Sequence, residues 1–193
     1  AIEGNKLIDV ISDEPVLKKL HFGCGENRLA GWSNHDSEID IRKQLPFPDT
    51  CASHVFAEHV CEHIAHQQAW TFFEECKRVL SVGGVIRIAI PDMAKMNRDM
   101  TEEYQLAVKK GGYGDGSKKA ALKAAVFSHG HQAVWTSELL MTFLQAVGFT
   151  QVHPCAYGLS NDFVLLGCEG HGRVVGESVA RVETSCVEGV KSL

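Results

Sequence analysis

A chain of 193 residues with 45% hydrophobic residues is long enough to bury a full core as one domain spanning residues 1–193. Its 19 Lys and Arg against 24 Asp and Glu leave it mildly acidic, which argues against nucleic-acid binding, and the Lys109–Lys110 and Lys118–Lys119 pairs with Lys123 read as a solvated helix face. Seven scattered cysteines without a CxxC pair suggest neither a disulfide framework nor a thiolate zinc site, and no apolar run reaches the roughly 18 residues of a membrane span, so a soluble cytoplasmic protein without a membrane partner is expected.

Residues 1–15 mix apolar positions with the break at Pro15 and read as a short helix or an extended arm. A strand through Leu20 and Phe22 stops at Gly23-Cys24-Gly25, where bare backbone N–H groups can face a ligand. Glu26 to Gly31 is too short for a crossover helix. Trp32 to His35 is a short second strand ending at Asp36, with Glu38 and Asp40 close behind. Glycines followed by a carboxylate after the next strand suit a nucleoside: backbone beneath one part, an acid on the ribose diol. The third glycine of a dinucleotide fingerprint is missing, since Arg28 stands there.

Ser53 to Val60 begins as a strand and ends in polar residues. Ala69, Phe72, Phe73, Cys76, Val79 and Leu80 recur at helical spacing over 66–80, with Gly83-Gly84 as the stop, and Val85 to Ile90 is a buried strand, which makes a parallel βαβ unit. Met93 to Lys110 reads as one helix, and Gly111 to Ser117 is a loop without P-loop spacing. Lys118 to Phe127 is a short helix, and Ser128 to His131 is a turn. Ser137 to Val147 is an amphipathic helix between a Thr136 or Ser137 cap and Gly148. Phe149 to His153 is a strand stopped by Pro154, Phe163 to Cys168 reads as the last clear strand, and the residues beyond Glu169 as a loose tail with some strand character over 182–190.

In order, LHFGCG, GWSNHD, DIRKQLPFPD, FAEHVCEHI, ECKRVLSVGGVIRIAIPD and LLMTFLQAVGFTQV resemble the successive motifs of class I S-adenosylmethionine-dependent methyltransferases, in particular a short bacterial type. The likeness covers Leu20 to Asp92 and, more loosely, His131 to Cys168. It departs from the family at His21, where an acidic residue is usual, at Asn27, where a third glycine is common, and at Ala52-Ser53, where Phe-Asp usually opens the strand. The resemblance implies an α/β fold with a doubly wound, mostly parallel sheet and helices on both faces, and S-adenosylmethionine as cofactor. It implies that Gly23, Cys24 and Gly25 meet the cofactor through backbone, Asp36 the ribose, Asp40 with Ile41 the adenine, and that Glu58 lies beside the sulfonium.

Methyl transfer from a sulfonium needs alignment and exclusion of water more than acid or metal chemistry, and one base helps where the acceptor has a proton to lose. His59 and His131 are the candidate bases, with His129 beside the second, and no metal ligand set is assigned. The expected acceptor is a small molecule with an oxygen or nitrogen nucleophile, held under residues 93–131 as a substrate-side insertion or lid. Two rivals come from other classes. His59-Val60-Cys61-Glu62-His63 matches the H-x-x-E-H spacing of inverted zinc peptidases, which requires a helix there, and a catalytically silent nucleoside-binding module would keep the cofactor site without turnover.

Overall fold

A computed structural model describes residues 16–193, so the arm or helix expected over 1–15 lies outside the described residues. The strands are β1 (Lys18–Phe22), β2 (Ser33–His35), β3 (Ala52–Glu58), β4 (Leu80–Pro91), β5 (Phe149–Cys155) and β6 (Thr184–Lys191), in spatial order β2-β1-β3-β4-β6-β5. The first four run parallel, and β6 lies antiparallel between β4 and β5. No helix joins β1 to β2; the single α-helix between β3 and β4 is α1 (His66–Val79), and α5 (Ser137–Val147) precedes β5.

Alternation along the strands separates two faces. Leu20, Phe22, Val55, Ala57, Ile86, Ile88, Ile90 and Val187 point into the main core, which α1 closes with Phe72, Phe73, Cys76 and Val79 and α5 with Leu140 and Leu144. The opposite face carries a row of register partners across all six strands: Asn34, His21, Phe56, Arg87, Glu188 and His153. His21 Nδ1 donates to Asn34 Oδ1 at 3.0 Å and its ring lies 4.8 Å from Phe56. His21 is thus held in a buried pairing at the position where the resembled family usually carries an acid.

Arg87, fully buried, donates to Glu169 at 2.5 Å and to Glu188. The row is covered by the β5–β6 connection, which includes α6 (Gly172–Val175) and α7 (Glu177–Glu183).

Three expectations are corrected here. Phe163–Cys168 is a series of turns, with Phe163 exposed and Leu165 and Cys168 packed on Phe56. The tail is ordered, and its strand β6 is the sheet's antiparallel member. The long helix over 93–110 is two, α2 (Met93–Asp99) and α3 (Glu102–Lys110), because Thr101 Oγ1 accepts from Tyr104 N at 3.1 Å and caps a new start. Smaller differences lie at the ends. α1 stops at Val79 because Leu80 turns extended into β4, and Pro154 sits within β5, an edge strand where a missing N–H is tolerated.

With α4 (Lys118–Phe127), helices α2 and α3 pack against α7 in a small second core of Met96, Tyr104, Ala121, Val179 and Val182, beyond the carboxyl ends of β3 and β4. Asp92 fastens this layer to the sheet. Its buried carboxylate accepts from Lys95 N in the first turn of α2 and from Ser137 N in the first turn of α5, both at 3.0 Å. Burial raises its pKa, but the hydrogen bonds from Lys95, Ser185 and Ser137 outweigh that and leave it below the ordinary carboxylate value. A depressed folded-state pKa contributes stability above the unfolded value of about 3.9 and loses it as pH falls through the folded value. Asp92→Ala is therefore expected to cost about 1–2 kcal/mol at pH 7, as caps do. In thermal melts over a pH series, its deficit against wild type shrinks below about pH 4.

Candidate active site

β1 ends because Gly23 takes a φ of +67°, and Gly25 follows at +45° with open space where a Cβ would stand. Cys24 N donates to His35 O at 3.0 Å, which ties the glycine turn to the end of β2 and brings Gly23, Cys24 and Gly25 alongside the exposed Asp36. The other expected cofactor residues are engaged elsewhere. Asp40 is paired with Arg42 at 2.7 Å and Lys43 at 3.3 Å, and the Arg42 hydrogen bond holds its carboxyl well below the usual range. Ile41 turns its side chain into the main core. Glu58, buried at the end of β3, accepts from Gly170 N at 2.7 Å and His171 N at 3.2 Å; burial raises its pKa and these bonds only partly oppose that.

Beyond Glu58 the backbone turns sharply. His59 has a φ of +50°, and a short 3-10 turn, Cys61–His63, follows. The helix that the inverted zinc-peptidase motif requires is absent from this stretch. The turn forms the floor of a cavity of about 440 Å³, roofed by α2, α3 and α4 and lined by His59, Glu62, His63, His131, His171 and Glu183 among others. The two candidate bases, His59 and His131, therefore share one cavity.

His59 Nε2 lies 2.8 Å from Thr184 Oγ1, and its ring stacks on His171 at 3.9 Å. Burial works against its imidazolium, but the carboxylates of Glu62, Glu183 and Glu58 outweigh that and raise its pKa. His171 donates to Glu183, which also accepts from Tyr104 Oη at 2.9 Å; burial would raise Glu183, yet these donors hold it below the ordinary value. His63 is shifted down, first by burial and then by the neighbouring His131, against the pull of Glu62.

Tyr104, His171 and Glu183 were not singled out in the sequence. The last two fall in the segment that reads as a tail, and the Gly170-His171-Gly172 triplet was the one local sign that backbone passes close to something there.

A family model described as a methyltransferase domain matches residues 35–88, from the end of β2 well into β4. Among solved structures, the chain is similar to a SAM-dependent methyltransferase from Archaeoglobus fulgidus, at 14% identity and a TM-score of 0.54, covering 92% of this chain and 87% of that one. It is similar to another from Mesorhizobium loti, at 12% identity and 0.51, covering 90% of each. A third is phosphoethanolamine N-methyltransferase 2 of Haemonchus contortus in complex with S-adenosyl-L-methionine, at 12% and 0.54, where 92% of this chain spans 49% of that one. No curated protein sequence matches the chain. The six-stranded sheet with its antiparallel β6 is the fold of the S-adenosylmethionine-dependent methyltransferases that the chain is similar to, and the segment that matches the methyltransferase domain model lies within it.

Proposed function

We propose that this chain is a methyltransferase that moves a methyl group from S-adenosylmethionine to an oxygen or nitrogen nucleophile of a small-molecule acceptor. The observation that carries this reading is the cavity at the carboxyl edge of β3 and β4, where open α/β sheets take their ligands. At about 440 Å³ it suits a metabolite-sized acceptor. It adjoins the glycine turn, because the side chain of Val60, between His59 and the floor, packs directly over Gly23.

Gly23, Cys24, Gly25 and Asp36 hold the cofactor's backbone and ribose contacts in this reading, and His59 or His131 takes the acceptor proton. In this structure the Asp40 carboxylate is paired with Arg42 and Lys43, the Ile41 side chain lies in the core and Glu58 accepts from the Gly170 and His171 backbone. The chain works as one domain with residues 93–131 as a lid, which the separate packing of α2–α4 on α7 supports. Seven free thiols support a reducing cytoplasm, and the net charge of −5 supports an acceptor other than nucleic acid. No helix among the described residues is long and apolar enough to cross a membrane.

Calorimetric titration with S-adenosylmethionine is expected to give saturable binding that Asp36→Ala weakens by about tenfold or more, roughly 1.4 kcal/mol for each tenfold. Incubation with candidate acceptors, read by mass spectrometry for a methylated product and S-adenosylhomocysteine, tests turnover. Binding unchanged in the variant would remove Asp36 from the site. Binding without turnover across oxygen and nitrogen acceptors would favour the silent nucleoside-binding module.

A further inference from the structure

Glu62 is fully buried on the cavity floor, and neither of its carboxylate oxygens receives a hydrogen bond. His59 Nδ1 comes within 3.1 Å of Oε1 but out of line for one. A buried carboxylate that accepts no hydrogen bond and has the His59 ring as its nearest cation is costly, which favours a further positive group at the cavity floor. Ligand atoms of Glu62, His63 and His131 all lie within 4.8 Å of one another. His63 Nε2 is 3.9 Å from Glu62 Oε1, and the two imidazole rings meet edge-on at 4.9 Å.

His131 is already oriented for ligation. Its Nδ1 donates to Ala125 O at 2.7 Å, which leaves the lone pair on Nε2 and fixes the ring. The two ligand-bearing segments are also fastened together: Gln132 N and Ala133 N both donate to Glu62 O, at 2.7 and 3.1 Å, and Trp135 Nε1 donates to Cys61 O at 3.2 Å. Two other groups of potential ligands differ in this respect. In His59, His171 and Glu183 the polar atoms are taken up by Thr184, by Tyr104 and by each other, and in His153, Cys155 and Glu188 the carboxylate serves Arg87.

We propose that Glu62, His63 and His131 bind one divalent transition-metal ion of the zinc, manganese or iron(II) kind, with its remaining coordination positions open to the cavity. Two imidazoles and one carboxylate are a donor set suited to these ions. Its role rests on the methyltransferase reading and takes His131 out of it as the base: the ion would supply Lewis acidity to an acceptor oxygen, whose proton would pass to His59 or water. The oxygen–methyl bond then forms as the carbon–sulfur bond breaks, its electron pair passing to sulfur. The acceptor class narrows accordingly to molecules that present oxygen to the ion.

The test is made on the whole chain after dialysis against EDTA. Zn²⁺ is followed by calorimetry and Co²⁺ by its visible absorption, and one equivalent of either is expected to bind. Glu62→Gln and His131→Ala are each expected to weaken binding by about tenfold or more, as lost metal contacts do, while Glu183→Gln and His153→Ala leave it unchanged. His131→Ala removes a partly exposed loop side chain and keeps the test open if Glu62→Gln misfolds. Absence of stoichiometric binding, or binding lost in Glu183→Gln or His153→Ala but kept in Glu62→Gln and His131→Ala, would overturn the assignment. S-adenosylmethionine titration of the same stripped protein separates this failure from failure of the cofactor reading.

Discussion

Gly23→Ala is expected to destabilise the protein by about 2–4 kcal/mol and to abolish S-adenosylmethionine binding, from two separable causes. The first is conformational: a φ of +67° costs a residue with a Cβ about 1–2 kcal/mol. The second is steric, because that Cβ would stand 2.1 Å from Val60 Cγ2. Relief requires a rotamer change of Val60 or a shift of the turn that carries Glu62 and His63, so the strain is shared between the glycine turn and the cavity floor. The double variant Gly23→Ala/Val60→Ala relieves the clash and keeps the backbone strain. It should therefore recover part of the loss relative to Val60→Ala alone, a coupling that urea denaturation measures directly. Equal stability of Gly23→Ala and wild type, or strict additivity in the pair, would show that the turn is looser than described.

Arg87→Ala is expected to cost about 3–5 kcal/mol, the range for breaking a buried ion pair from one side. The guanidinium is the shared partner of Glu169 and Glu188, both buried; Glu169 Oε1 accepts from Arg87 and from Cys186 Sγ, and Glu169 Oε2 accepts no hydrogen bond and has only the guanidinium charge nearby. Removing Arg87 leaves two carboxylates facing each other in the layer between the sheet and the β5–β6 connection. Arg87→Ala combined with Glu169→Gln and Glu188→Gln should recover much of the loss, since the surviving groups are then neutral. A melt of Arg87→Ala indistinguishable from wild type would contradict the burial of this group.

The order of the parallel half was legible because its signals are local. Glycines end β1, β-branched residues fill β4, and the three-and-four spacing of Ala69, Phe72, Phe73 and Cys76 marks α1. The antiparallel half was misread where tertiary partners decide. Phe163–Cys168 has the composition of a strand, yet it serves as a plug over Phe56. β6 lies in the stretch that read as a tail, and its place in the sheet is fixed by the pairing of Glu188 with Arg87 and by the tight approach of Phe149 and Val152 to Gly189. At the site, the structure sets Asp36 beside the glycine turn and places His59 and His131 on one cavity. The group of Glu62, His63 and His131 was not legible, because its members come from two distant segments and the motif that drew attention to Glu62 belongs to a helix that is not formed.

The cross-sheet row from Asn34 to His153 also distinguishes the observed strand alignment from its neighbours. A strand that slid by one residue would turn its row member into the layer shared with Phe72 and Phe73, exchanging an apolar contact for a buried charge at β4 or β6. A slide by two residues would keep the faces correct, but it would set Arg87 opposite Cys186 or Val190 instead of Glu188. Charge thus discriminates between alignments that apolar patterning treats as equivalent, and it does so at the junction where the parallel strands meet the antiparallel pair.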